Sequence, residues 1–193
     1  MKISIEKNII FKSLSHVQSI VEKRNTIPVL SNILIEAKDN ILTLSATDMD
    51  ISITETTSCN VIETGSVTVP AHTLYDIIRK IPDGNEIEFI SNDGKRFSIR
   101  SGKSKFSLSC LPKEDFPVIE VDKLKSELII DSQTFLNLIE KTKFAISNEE
   151  TRYFLNGIYF HKNNLENQGF LSLVATDGHR LAKIDFLYDK GLT

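Results

Sequence analysis

The sequence has no apolar run near the roughly 18 residues a membrane helix needs. Its opening, MKISIEKNII, is interrupted by acidic and polar residues where a secretory signal would hold an apolar core. A cytoplasmic setting is therefore expected. Cysteine is scarce: Cys59 and Cys110 have no metal-ligand spacing. Both are expected to be reduced, and Cys110, alternating with Phe106 and Leu108, reads as a small buried hydrophobe. There is no Gly-rich phosphate loop, no activated-nucleophile motif and no low-complexity stretch. A large positive charge is also missing. A net charge of −3 and a pI near 5.8 argue against a broad basic face that grips nucleic acid tightly, while leaving room for a local one. With 40% hydrophobic and 25% charged residues, the 193 positions are those of a globular protein of one or two domains.

What the chain does have is a long internal repeat. IPVLSNILI (27–35) lies over RYFLNGIYF (152–160) at an offset of 125, and LTLSATD (42–48) over LSLVATD (171–177) at an offset of 129. The second copy is thus expected to carry four extra loop residues. Upstream, Ile5, Glu6 and Leu14 fall on Ile130, Asp131 and Ile139. A repeat this long means a repeated domain. Thr193 corresponds to about residue 64 of the first copy. The expected division is therefore a complete domain at 1–123 and roughly the first half of a second at 124–193.

Periodicity supplies the elements. Ile3 and Ile5 alternate as a strand, and Asn8 is expected to cap a helix whose stripe is Ile10, Leu14, Val17 and Val21, widened by Ile9 and Ile20. Strands at 33–37 and 41–46 flank an Asp39-Asn40 turn, and Ile51 and Ile53 mark another. The order then recurs. A strand at 67–69 hands over at Pro70 to a helix through Leu74, Ile77, Ile78 and Ile81, stopped by Pro82-Asp83-Gly84. Ile87/Phe89, Phe97/Ile99 and Phe106/Leu108 then alternate as three strands, the first two joined around Asp93-Gly94. The first domain therefore reads as βαβββ twice, with both helices on one side. After a proline- and charge-rich connector at 111–125, a strand at 128–130, an Asp131/Ser132 cap and a helix with Phe135, Leu138, Ile139 and Thr142 inward restart the unit.

Asp177 and His179 are the tempting catalytic pair. His16, His72 and His161 add no ligand spacing, Asp48 stands in the matching place of copy one, and Asp177-Gly178 has the look of a turn. A structural or binding role is expected there instead. The helices carry a subtler signal. Lys12, Lys23 and Arg24 outweigh Glu22, Arg79 and Lys80 outweigh Asp76, and Lys141 and Lys143 outweigh Glu140. All three helical segments are thus net positive in an acidic chain. Solvated outer faces would explain any one of them. Together they also suit weak, sequence-blind contact with phosphate.

ATDGHRLA (175–182) and TRYFLNGIYF (151–160), with RNTIPVLSN (24–32), TVPA (68–71) and SGKSKFSLSCLPKEDFP (101–117), closely resemble the beta sliding clamps of bacterial DNA polymerase III, from Met1 to about Phe186. The resemblance implies an α+β DNA clamp fold, with helices lining a pore and sheets outside. It implies three similar domains per subunit and two subunits joined head to tail around duplex DNA. It also implies a non-catalytic processivity factor without cofactor or metal. The implied partners are the replicative polymerase, the clamp loader and other proteins carrying a short hydrophobic peptide.

By position, the resemblance implies DNA-facing roles for Arg24, Lys12, Arg79, Lys80, Lys141, Glu149, Tyr153 and Phe154. Glu149 is a departure, since a carboxylate repels phosphate. A peptide cleft is implied at Leu155, Thr176, Gly178, His179, Arg180 and Leu181. There Gly178 would let a backbone approach, Leu155 and Leu181 would form walls, and His179 and Arg180 a polar rim. Core packing is the competing reading of Leu181. Arg96, Lys103, Lys105, Phe106 and Leu108 match a subunit interface, where an edge strand with basic residues otherwise reads as protection against aggregation. Two rivals stay open. A peptide-binding adaptor that does not encircle DNA would keep the cleft but need no basic helices. An enzyme using Asp177 and His179 would need bound metal or turnover to support it.

Overall fold

Strand β1 (Lys2–Glu6) runs directly into helix α1 (Lys7–Val17) with no intervening cap residue. The structure, a computed structural model, describes residues 1–22, 26–92, 94–117, 129–165 and 168–188. Arg24, the turn residue Asp93 and Leu128 lie outside the described residues. Asn8 is therefore not the N-cap. The first helical N–H, that of Lys7, is satisfied from elsewhere in the chain by the Asn85 carbonyl at 2.9 Å, and the Lys7 ammonium pairs with Asp83.

The chain divides into two compact units, Met1–Ile119 and Glu120–Thr193. In the first, α1 buries Ile10, Leu14 and Val17 as its spacing requires and then tightens into a 3₁₀ turn over Gln18–Ile20. Ile9 stays exposed and lies outside the stripe. After a 3₁₀ turn at Pro28–Ser31 come β2 (Asn32–Lys38), β3 (Ile41–Thr47), β4 (Ser52–Ser58) and a short β5 (Asn60–Glu63). Asp39 and Asn40 both take positive φ, 52° and 61°, as a two-residue hairpin turn demands. Ile51 falls outside β4 and is exposed. The second half follows with β6 (Gly65–Pro70), α2 (Ala71–Lys80), β7 (Glu86–Ile90), β8 (Arg96–Ser101) and β9 (Ser104–Ser109).

The two halves exchange their first strands. The sheets are ordered β5-β1-β7-β8-β9 and β4-β3-β2-β6, so β1 joins the strands of the second half and β6 those of the first. One hydrophobic core fills the space between sheets and helices, with Phe89, Phe97, Leu14, Leu74 and Ile78 fully buried. The two helices lie side by side. Phe11 of α1 stacks on Tyr75 of α2 at 5.4 Å, and His72 Nε2 lies 2.8 Å from the Val21 carbonyl oxygen.

The second unit repeats the first half-unit. Helix α3 (Ser132–Glu140) is capped by Asp131, which accepts from the Thr134 N–H at 2.8 Å. It begins at Lys7 plus 125. β10 (Tyr159–Leu165), β11 (Gln168–Thr176) and β12 (Leu181–Tyr188) form an antiparallel meander as β2, β3 and β4 do. Two expectations need correction. Leu165 pairs with Gln168, so the four extra residues lengthen each hairpin arm by two and leave the connection short. Ile129 and Ile130 form no strand, and Ile129 is 88% exposed. Inside the helix Leu138 is buried while Phe135 remains partly exposed. Thr142, just past its end, is fully buried and donates to the Leu138 carbonyl. Cys110 is half-buried, against the core's edge.

Candidate functional site

The turn between β11 and β12 is built from side chains that satisfy its own backbone. Thr176 Oγ1 donates to the Arg180 carbonyl at 2.7 Å and accepts from the Gly178 N–H at 3.1 Å. Asp177 Oδ1 accepts from the N–H groups of His179 and Arg180, both at 3.0 Å, and its Oδ2 takes Arg180 Nε at 2.9 Å. Those donors hold the Asp177 carboxyl down to about 2: the two backbone N–H bonds weigh most, then the Arg180 guanidinium. A carboxylate so occupied is an anchor for the turn. His179 is exposed beside it.

The first unit contains the same turn 129 residues earlier, with four of these five hydrogen bonds. Thr47 Oγ1 donates to the Ile51 carbonyl and accepts from the Met49 N–H, while Asp48 Oδ1 accepts from the N–H groups of Asp50 and Ile51. Met49 at φ 84° stands where Gly178 sits at φ 89°. What differs is the neighbour. A Cβ on Gly178 would lie 2.8 Å from Arg152 Nη1, so a side chain there would displace the guanidinium as well as take a φ that glycine adopts most easily. Gly178→Ala is thus expected to destabilise by at least about 1–2 kcal/mol, the cost of a side chain in the left-handed region. Met49→Gly, which relieves that same cost, should be neutral or stabilising by up to about 1 kcal/mol. Urea unfolding of both variants checks the pair. Equal destabilisation would show that the two turns are not equivalent.

Arg152 belongs to the 3₁₀ segment Glu150–Leu155. Both Glu149 carboxylate oxygens accept from it, Oε2 from Nε at 2.8 Å and Oε1 from Nη2 at 2.6 Å. That bond lowers the Glu149 pKa, first through hydrogen bonding and then through charge, and raises the Arg152 pKa in return. The repulsion expected of Glu149 toward phosphate is therefore offset by a cation in direct contact. Leu155 sits half-buried at the end of this 3₁₀ segment, not on a strand, and its carbonyl accepts from Ser147 N–H at 3.1 Å. Leu181 opens β12 opposite Thr176 and is 65% exposed, which removes the core-packing reading. The buried side chains of Ala145, Ala175 and Ala182 cluster together in the same unit. The guanidinium of Arg180 lies over the exposed Phe144 ring at 5.7 Å. Arg152 and Phe144 were absent from the sequence-derived set. The Glu149–Arg152 spacing of three on a short helical turn was the available signal for one of them.

The other expected groups are distributed over the two units. Tyr153 and Phe154 protrude, 78% and 71% exposed, with their rings edge to face at 6.0 Å. Lys12 and Lys80 are exposed on α1 and α2 and Lys141 is exposed just past the end of α3, whereas Arg79 pairs with Asp76 at 3.0 Å and stands over Tyr75. Lys143 pairs with Glu140. Phe106 and Leu108 lie on β9, the edge of its sheet, with Lys105 on the opposite face from them and Lys103 in the preceding turn. Arg96 begins the neighbouring β8. Among the described residues no cluster of three or more His, Cys, Asp or Glu could hold a metal. No helix among them is long and apolar enough to cross a membrane.

Helices on one side of paired antiparallel sheets, repeated along the chain, are the architecture of a DNA clamp. Residues 1–120 match the N-terminal domain of the DNA polymerase III beta subunit, and residues 129–191 match its central domain. The beta sliding clamp of Caulobacter vibrioides is 50% identical over 94% of this chain and 49% of its own length. Two solved structures superpose closely. A Bartonella birtlesii sliding clamp bound to griselimycin does so with a TM-score of 0.93 at 46% identity, over 99% of this chain and 51% of that one. Caulobacter crescentus pol III beta gives 0.91 at 48% identity, with the same coverage of both chains. The chain belongs to the DNA polymerase III beta subunit family, the sliding clamps. It spans about half the length of the curated relatives it matches.

Proposed function

We propose that this chain works in a replication processivity factor, a non-catalytic cytoplasmic clamp that encircles duplex DNA as a homodimeric ring and tethers the polymerase and clamp loader. Those partners would use a short apolar peptide, seated at Leu155, Thr176, Gly178, His179, Arg180 and Leu181. The observation that carries the peptide reading is Leu181: a leucine 65% exposed on a turn that five hydrogen bonds hold rigid is a preformed apolar contact. The griselimycin bound by the Bartonella birtlesii clamp supports a small-ligand site on the same fold.

DNA contact is assigned to Lys12, Arg79, Lys80 and Lys141 of the helical segments and, by the family pattern, to Arg24, Glu149, Tyr153 and Phe154. Arg96, Lys103, Lys105, Phe106 and Leu108 are assigned to the subunit interface. A ring holds DNA by closure, so a few unpaired lysines suffice on a body of net charge −3. Each lysine that contacts phosphate should contribute about 0.9 to the slope of log affinity against log salt. Lys12→Ala and Lys80→Ala together are expected to flatten that slope by about 1.8 in duplex-DNA titrations. An unchanged slope would favour the adaptor that does not encircle DNA, a reading to which the Arg79–Asp76 and Lys143–Glu140 pairs lend support, because they cancel part of the helical charge.

A further inference from the structure

Glu149 is engaged within the second unit by a contact of its own. Its two oxygens are both engaged by the Nε and Nη2 edge of Arg152, leaving Nη1 directed at Gly178. A bidentate carboxylate–guanidinium pair is planar and fixed in direction, unlike a single-point contact. Arg152 is thereby aimed from the 149–155 turn, which ends on Leu155, toward Gly178 in the 176–181 turn, which ends on Leu181. The internal hydrogen bonds of the second turn fix its shape. They do not reach the first segment, and the Arg152 guanidinium comes up to Gly178 from that side.

The first unit supplies the comparison. It builds the same turn at Thr47–Ile51 with Ile27 at the place of Arg152 and Met49 at the place of Gly178. The arginine is therefore dispensable for folding such a turn. Its presence in the second unit, with a glycine cleared beneath it and a carboxylate to aim it, marks an added device.

We propose that Glu149 is a positioning residue for the peptide groove: acting through Arg152, it sets the spacing between the Leu155 and Leu181 walls. The assignment rests on the groove reading above for its functional consequence, but its structural content is independent of any ligand. The electrostatics are consistent with it, because Glu149 is also stabilised as the anion by His179 and destabilised by Asp177, both in the opposing turn.

The test has two arms on the 193-residue chain. In the first, amide resonances are compared without ligand. Glu149→Gln, which keeps the shape but weakens the bidentate pair, and Arg152→Ala should both shift the Gly178, His179 and Arg180 amides, while the Asp48–Ile51 amides stay in place. Unmoved Gly178–Arg180 resonances in both variants would overturn the proposal.

In the second arm, a pentapeptide rich in Gln, Leu and Phe is titrated. Glu149→Gln should weaken binding about threefold to fivefold and Arg152→Ala about tenfold, and the double variant should be no worse than Arg152→Ala, because coupled partners are non-additive. Arg152→Lys should recover little, since an ammonium cannot make the two-point bond. Additive losses in the double variant would overturn the coupling. Resonance shifts as expected in a chain that binds no peptide would sink the groove reading and leave the positioning of the turn intact.

Discussion

Truncating Phe89 to alanine is expected to lower the unfolding free energy of the Met1–Ile119 unit by about 3–5 kcal/mol. Phe89 is fully buried on β7, the middle strand of its sheet, with the Phe97 ring 4.9 Å away at an interplanar angle of 47°. The register places it in one row that crosses all five strands: Val61, Ile3, Phe89, Ile99 and Phe106. The loss combines the transfer of a large apolar side chain with an unfilled cavity, because sheet neighbours on both sides prevent collapse. Against a typical stability of about 5–15 kcal/mol, this would bring the unit close to unfolding. Phe106→Ala, at the far end of the same row and 37% exposed, should cost far less, about 1 kcal/mol. Urea midpoints of the two variants decide the matter. Comparable losses would mean that the edge residue is as enclosed as the central one, and would remove the case for an exposed β9 surface available to a partner subunit.

The second large effect is on binding. Leu155→Ala combined with Leu181→Ala is expected to remove about 2 kcal/mol or more of peptide affinity, roughly thirtyfold. Both side chains flank a turn that is already ordered, so little entropy is spent in arranging them and their loss falls directly on contact area. Stability should barely change for Leu181, whose exposure leaves little to lose. The salt dependence of DNA association should also stay as it was, because neither leucine carries charge. Lys12→Ala with Lys80→Ala should do the reverse. If both sets of substitutions damage both activities in a folded protein, the two surfaces are not separate.

Much of this architecture is written in periodicity. The Ile10, Leu14 and Val17 stripe, the Asp39-Asn40 hairpin and the alternating Phe97/Ile99 strand are local signals, each carried by residues within one element. The repeat added more, since one Thr-Asp turn at residues 47–51 is enough to understand its copy at 176–180. What was illegible is tertiary. No local pattern shows that β1 and β6 change places between sheets, because hydrogen-bond partners on a sheet edge leave no trace in the strand's own alternation. β5 has only Val61 and Ile62 between polar ends, too short a run to stand out. The 128–130 strand was inferred from three apolar residues, two of which are not in a strand.

At the site, Thr176, Asp177 and Gly178 were readable as a turn because their side chains act on neighbouring backbone. The 3₁₀ segment that carries Leu155 has no periodicity long enough to read from the sequence. Phe144 and Arg152 went unnoticed since their roles come from contacts with Arg180 and Gly178, some thirty residues away. Glu149 was the instructive case. Its position in the family pattern carries no sign of the bidentate contact with Arg152 that the structure gives it.

The central claim is that the 149–155 and 176–181 turns together form a preformed peptide groove distinct from the helical side. The direct measurement is a titration of the isotopically labelled chain with the Gln-, Leu- and Phe-rich pentapeptide, followed by amide resonances to saturation. The expected result is a set of shifts centred on Leu155 and Thr176–Leu181, with the amides of α1 and α2 unmoved. Shifts confined to residues of the Met1–Ile119 unit, or none at either turn at saturating peptide, would contradict it.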